Sequence, residues 1–188
     1  MSKGTTPVGF EEQKAAQISA FFAAKNGGSI EKLKLIKLIY LSEREFVSQH
    51  GHPMLFDELY SLPHGPICSS ALDGINQNLT NDVWKVNISK EQKNDIETKL
   101  TADTENFDHI SKAEYAVLCS IWESFGFMTS NQLRNYTHKN CPEYTEVEKG
   151  KRMPISYRDL FEALDFDDPE NSEDRIMDTR RAHNVLSY

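Results

Sequence analysis

The segment from Ile30 to His50 constrains the fold more than any other. Projected at about 100° per residue, Leu33, Leu35, Ile36, Leu38, Ile39, Tyr40, Phe46 and Val47 cover more than half of its circumference. Lys34, Lys37, Arg44, Glu45 and Ser48 share the remaining stripe, interrupted by Leu41. A helix this apolar has to be packed on several sides, so it is expected to be the central helix of the domain. Ser29 is placed to cap its start and Gly51 to end it. Lys34, Lys37 and Arg44 read as a solvated basic face.

Other elements are expected to surround it. Phe10 to Lys25 reads as a first helix, with Ala16, Ile18, Phe21 and Phe22 on its apolar side and Gly27-Gly28 as its stop. Between His52 and Pro66 the density of proline and glycine excludes a continuous helix. Asp57 to Leu62 fits a short extended segment, and Pro66 is placed to open a helix running to about Asn78. Val83 to Ile88 puts Trp84, Val86 and Ile88 on one face of a strand. Pairing that strand with Asp57–Leu62 would cap one end of a bundle. Ser89 to Asn106 is polar, anchored by Ile96 and Leu100, and reads as an exposed helix or a mobile connection.

Ser111-Lys112-Ala113-Glu114 is a capping-box signature opening a second core helix that Gly126 ends. Ser130 is placed to cap a helix to about Lys139, Pro142 to start a helical turn, and Ser156 to cap Tyr157 to Leu164. Asp168-Pro169 then starts a last helix. The expected fold is mainly α: a compact helical bundle around a central apolar helix, with a small antiparallel β pair at one end. Residues 1–9 read as a flexible N-terminus, 10–164 as the helical domain, and 165–188 as an acidic, partly helical extension.

The chain has 188 residues, a hydrophobic share of 38% and a net charge of -8 from 29 acids and 21 bases. That charge disfavours nucleic acid and favours a basic protein partner. No apolar run reaches the roughly 20 residues that span a bilayer, and no signal peptide is evident, so a soluble cytoplasmic protein is expected. Cys68, Cys119 and Cys141 form no CxxC pair, which argues for reduced thiols over disulfides or structural zinc.

The chemistry-bearing residues form no catalytic pattern. None of the six histidines has HExxH spacing. A Cys/His nucleophile would have to use His64 and Cys68, four residues apart, but no group to orient the imidazole is evident. The turn that follows His64, with Ser69 and Ser70 nearby, offers backbone N–H groups to an anion but lacks the lysine and glycine spacing of a phosphate loop. Ser111 to Lys139 also fits a helix-turn-helix, with Gln132, Arg134, Asn135 and Lys139 on the second helix. The surrounding acidity counts against that reading.

Three blocks in order carry a resemblance. They are Lys32 to Tyr40 followed by Gly51-His52-Pro53-Met54-Leu55-Phe56-Asp57; His64-Gly65-Pro66-Ile67; and Ile121 to Gly126 followed by Leu133, Thr137-His138 and Pro142-Glu143-Tyr144. The chain from about Ala15 to Val147 resembles the Panacea domain, the SocA-like group of bacterial and phage antitoxin-type proteins. The resemblance implies a helical domain that neutralises a protein toxin by direct binding and supplies no catalytic residues; no enzymatic activity, cofactor or metal is expected. It also implies an alternative, a proteolytic adaptor with a protease or chaperone as further partner. Tyr40, Phe56, His64, Gly65, Pro66 and His138 are its motif residues here, with a structural or a binding role. Outside that region, Glu162 to Asp174 holds seven acids and no bases. Asp165, Asp167, Asp168, Glu170, Glu173 and Asp174 are accordingly the expected partner-binding residues.

Overall fold

The computed structural model describes residues 6–77, 82–90 and 94–186. In chain order the elements are α1 (Glu12–Lys25), β1 (Ser29–Glu31), α2 (Lys32–His50), β2 (Leu59–Leu62), β3 (Gly65–Cys68), α3 (Ser69–Ile75) and α4 (Val83–Asn87). They continue with β4 (Asp95–Glu97), α5 (Lys112–Phe125), α6 (Ser130–Asn140), β5 (Met153–Ile155), α7 (Tyr157–Ala163) and α8 (Pro169–Leu186). Mainly α architecture with a little antiparallel β structure is what the apolar periodicity predicts.

Helix α2 sits at the centre. Leu35, Leu38, Ile39, Tyr40, Phe46 and Val47 are buried, and α1, α5, α6, α7 and β3 all pack against it. Gly51 ends it in the left-handed conformation, its N–H bonding the Val47 carbonyl. Helix α1 is buried continuously from Ala15 to Ala23, because small alanines let Phe21 and Phe22 sit between α2 and α5. Phe21 meets Phe107 and Tyr115 edge-on at 5.8 and 5.4 Å, a favourable aromatic geometry.

Among the described residues, two small sheets complete the core. The order in the larger is β3-β2-β5, and the smaller pairs β1 with β4, all antiparallel. Helix α8 packs on α7 and buries Ile176. Among the described residues, no helix is long and apolar enough to cross a membrane.

Several local expectations are corrected. Ser29 does not cap α2; it lies in β1, and the first N–H of α2, from Lys32, bonds the Asn94 carbonyl at 2.7 Å. Pro66 opens no helix, because it lies in β3 opposite Ser61. Helix α3 starts three residues later, and the end expected near Asn78 falls outside the described residues. Val83 to Ile88 is helical up to Asn87, which buries Trp84 and Ile88 but leaves Val86 78% exposed. Alternation and a short helix both place residues 84 and 88 on one side, and the exposed Val86 separates the two. The strand Leu59–Leu62 therefore pairs with β3 and β5. Within Ser89 to Asn106, Ile96 is fully buried and Asp95–Glu97 pairs with β1 as a packed strand, while Thr104–Asn106 forms a single 3-10 turn.

The caps at Ser111 and Ser156 form as expected, each a reciprocal capping box. Thr129, not Ser130, caps α6, because Gln132 stands three residues after it and completes its box. Cys141 to Tyr144 is a hydrogen-bonded turn and not the start of a helix.

Trp84 shows how closely α1, α3 and α4 are fitted. Its Nε1 donates to Glu12 at 2.8 Å, and a Cβ at Gly74 would run into the indole ring. In an exposed helix, replacing glycine by alanine stabilises by up to about 1 kcal/mol. Here overpacking reverses the sign, so Gly74→Ala should destabilise by about 1–3 kcal/mol. Urea denaturation followed by tryptophan fluorescence measures this.

Candidate functional site

The hairpin between β2 and β3 gathers most of the motif residues. Pro63 and His64 form its two-residue turn, between Leu62 and its pairing partner Gly65. Gly65 has a φ of +99°, a backbone state that favours glycine. A Cβ there would lie 2.9 Å from Thr137 Oγ1, 3.0 Å from Lys37 Nζ and 3.1 Å from His138 Cδ2. The turn is thus pressed against α2 and α6 at a point where no side chain fits.

Lys37 overturns the expected basic stripe. Its side chain is fully buried, and Nζ donates to the Pro66 carbonyl at 2.8 Å. Burial is the main cause that lowers its pKa from 10.5 to about 7; the nearby Arg134 guanidinium acts in the same sense, against the Cys141 and Cys68 thiols. Arg44 does not point freely to solvent either, because its Nε pairs with the buried Glu143 carboxylate at 2.8 Å. Lys34 donates to the Gly126 carbonyl at 2.6 Å and lies over the Trp122 ring. All three bases anchor α2 to its neighbours.

Tyr40 is buried and donates to Glu143 Oε1 at 2.6 Å. The same oxygen receives Arg44, so one carboxylate ties two turns of α2 to the chain after α6. His138 stacks on Tyr144 with ring centroids 4.4 Å apart. Burial, reinforced by Arg134 and Lys37, lowers its pKa. Tyr144 in turn donates to the Leu62 carbonyl at 3.2 Å. Tyr40, Gly65, Pro66 and His138 therefore meet in one region, with His64 exposed at its edge.

Phe56 lies elsewhere, at a φ of +51° in the loop leading to β2. Its carbonyl and that of Asp57 receive Arg180 Nη2 of α8 at 2.9 and 3.0 Å. Asp57 accepts the Ser70 and Ala71 N–H groups at the start of α3, each at 2.9 Å. The anion at that helix start, beside Ser69 and Ser70, is thus a carboxylate of this chain. Glu43 plays a matching part on α2, accepting the Met54 and Leu55 N–H groups at 3.0 Å each. Burial, the largest cause for both acids, pushes the Glu43 pKa up to about 7 and that of Asp57 up to about 6. Neither Glu43 nor Asp57 was singled out from sequence; an acid inside an apolar helix pattern was the available signal for Glu43.

A Cys/His nucleophile finds no support in this arrangement. Cys68 is buried in β3, and burial raises its thiol pKa well above the ordinary value, the opposite of what a thiolate requires.

The six acids expected to meet a partner stand apart from the hairpin. Asp165, Asp167, Asp168, Glu170 and Asp174 are exposed and Glu173 is half-buried. Asp168 caps α8 through the Asn171 N–H at 3.2 Å, and Glu173 accepts the Arg158 N–H at 3.2 Å. Glu170 lies 3.8 Å from the Arg158 guanidinium.

Lys37 also yields a test in pH. Between its folded value of about 7 and its ordinary 10.5, the unfolded chain holds the extra proton, so this group makes stability rise with pH. It contributes at most about 1.4 kcal/mol per pH unit. Lys37→Met should flatten that rise, as urea midpoints at pH 7, 8 and 9 will show. Gly65→Ala, strained in φ and in space, should cost about 2 kcal/mol or more at every pH.

Comparison with known proteins agrees with this region's importance. Residues 35–143, more than half of the chain, match the family model described as antitoxin SocA-like, Panacea domain. The match runs from the core of α2 through the hairpin to the Glu143 carboxylate. No curated protein and no solved structure matches. The chain belongs to the antitoxin SocA-like family and carries its Panacea domain.

Proposed function

We propose that this protein is an antitoxin that neutralises a cognate protein toxin by direct binding in the cytoplasm, without enzymatic turnover. The observation that carries the reading is family membership across residues 35–143. A second observation suggests where contact is made. The acids of Glu162 to Asp174 lie outside the matched region, and five of the six candidates are exposed at the start of α8. Such an acid-rich surface steers a basic partner toward it and sets the orientation of the encounter.

The acids are not equivalent. Asp168 and Glu173 carry hydrogen bonds that hold α8 in place, and Asp165 sits at a φ of +58° that a longer side chain adopts poorly. Asp167, Glu170 and Asp174 are the residues to test. They can be reversed in charge with little effect on the fold, since each is exposed and the Glu170–Arg158 ion pair is itself at the surface.

The experiment is co-expression with the toxin encoded by an adjacent gene, followed by growth measurement, co-purification and titration. Wild-type protein should restore growth and form a stable complex. The triple variant Asp167→Lys, Glu170→Lys, Asp174→Lys should keep its melting temperature and bind at least about tenfold more weakly, most visibly at low salt. Unchanged affinity in that variant rejects the α8 surface. Growth restored without a complex rejects direct neutralisation, and toxin loss that depends on a protease would support the adaptor reading instead.

A further inference from the structure

Phe127 stands in the short turn between α5 and α6 and is 78% exposed. The apolar side chains around it in the chain are not. Trp122, Phe125 and Met128 are half-buried and pack against the core, as does Tyr136 of α6. Phe125 and Tyr136 meet edge-on with ring centroids 4.8 Å apart. Phe127 thus projects from an aromatic part of the surface instead of closing over it.

The turn is firmly held. The Gly126 N–H bonds the Trp122 carbonyl at 2.7 Å, the Gly126 carbonyl receives Lys34 Nζ at 2.6 Å, and the Met128 N–H bonds the Phe125 carbonyl at 2.9 Å. The Thr129 capping box fixes the chain just beyond. An aromatic ring displayed on so constrained a backbone loses little freedom on being covered, which suits an interface anchor. Charge is the second peculiarity. Residues 124–133 contain no charged residue, in a chain that is 27% charged. Asn131 and Asn135, both exposed, lie one turn apart on the same face of α6. The charged side chains that border the stretch are Glu123, exposed, and Arg134, half-buried. Aromatic side chains on a charge-depleted surface are the compositional mark of an interface core.

We infer that the α5–α6 turn is a self-association surface, on which Phe127 packs against the same turn of a second copy of this chain. A two-fold contact sets each surface against itself. With a net charge of -8, two copies repel, and a face such as the start of α8 would meet its own acids. The uncharged turn escapes that penalty. It is also self-complementary, because a ring can pack on a ring and each amide of Asn131 and Asn135 both donates and accepts. A surface made of one turn and one helix end is smaller than the roughly 800 Å² per partner of a stable complex. The dimer is therefore weak and forms as concentration rises. The acids of α8 take no part in it, so the inference does not rest on the antitoxin reading.

Sedimentation velocity of the full chain, from about 5 to about 500 µM, is the test. The wild type should pass from monomer to dimer with a Kd on the order of 10–100 µM. Raising the salt screens the net charge and should strengthen the dimer, the opposite of a contact between unlike charges. Phe127→Asp places like charges across the two-fold and should weaken dimerisation at least about tenfold without lowering the melting temperature. Phe127→Ser should weaken it comparably, and decides the matter if the acid disturbs the fold. Val86→Asp alters a side chain that is equally exposed, on α4, and should leave the dimer unchanged. A wild type that stays monomeric throughout, a dimer that weakens with salt, or unchanged dimerisation in the folded Phe127 variants overturns the inference. So does a monomeric wild type whose toxin binding is lost in Phe127→Ser, since the turn is then covered by the toxin. The sedimentation measurement uses no toxin, so its failure leaves the antitoxin reading intact.

Discussion

Helix α2 is buried on every side from Leu35 to Glu43, and polar side chains along that stretch have to find partners inside the protein. That constraint organises the domain. Lys37 reaches the Pro66 carbonyl, Tyr40 and Arg44 share Glu143, and Glu43 takes the Met54 and Leu55 N–H groups. Each bond recruits a segment that is not helical and gives it a fixed position against the helix. The apolar residues of α2 supply burial. Its few polar ones decide which loop lies where.

The family match begins and ends near the two ends of this network. It covers the helix, the loop held by Glu43, the hairpin held by Lys37 and the turn that carries Glu143. The motif residues Tyr40, Gly65, Pro66 and His138 are mostly buried, and each is explained by packing or by a hydrogen bond. Helix α8 lies outside the matched residues. Arg180 and the buried Ile176 attach it to the core, while its acids face outward.

Much of the framework was legible in the chain. The central helix, the Gly51 stop, the caps at Ser111, Ser156 and Asp168 and the burial of α1 all follow from periodicity and local hydrogen-bonding chemistry. The misreadings share a cause. Pro66 satisfies the rules for a helix start, yet the helix begins at Ser69, because Asp57 from a distant loop caps its N–H groups. Trp84 and Ile88 fit a strand or a helix, and the indole slot beside Gly74 favours the helix. Lys34, Lys37 and Arg44 look like a solvated face because their acceptors lie 29 to 99 residues away.

The amino-acid sequence alone determined the class of fold, the central place of α2 and the family, since these rest on spacing within short windows and on motifs in order. The tertiary structure alone decided that Lys37 is a buried amine against the hairpin, that Asp57 supplies the anion at α3, and that β2 pairs with β3 and β5. Those outcomes depend on which distant groups can satisfy a buried charge or a free N–H, and a local pattern carries no record of them. Helix α2 and the His64-Gly65-Pro66 turn are thus joined by a hydrogen bond from Lys37, a lysine that the sequence places in solvent.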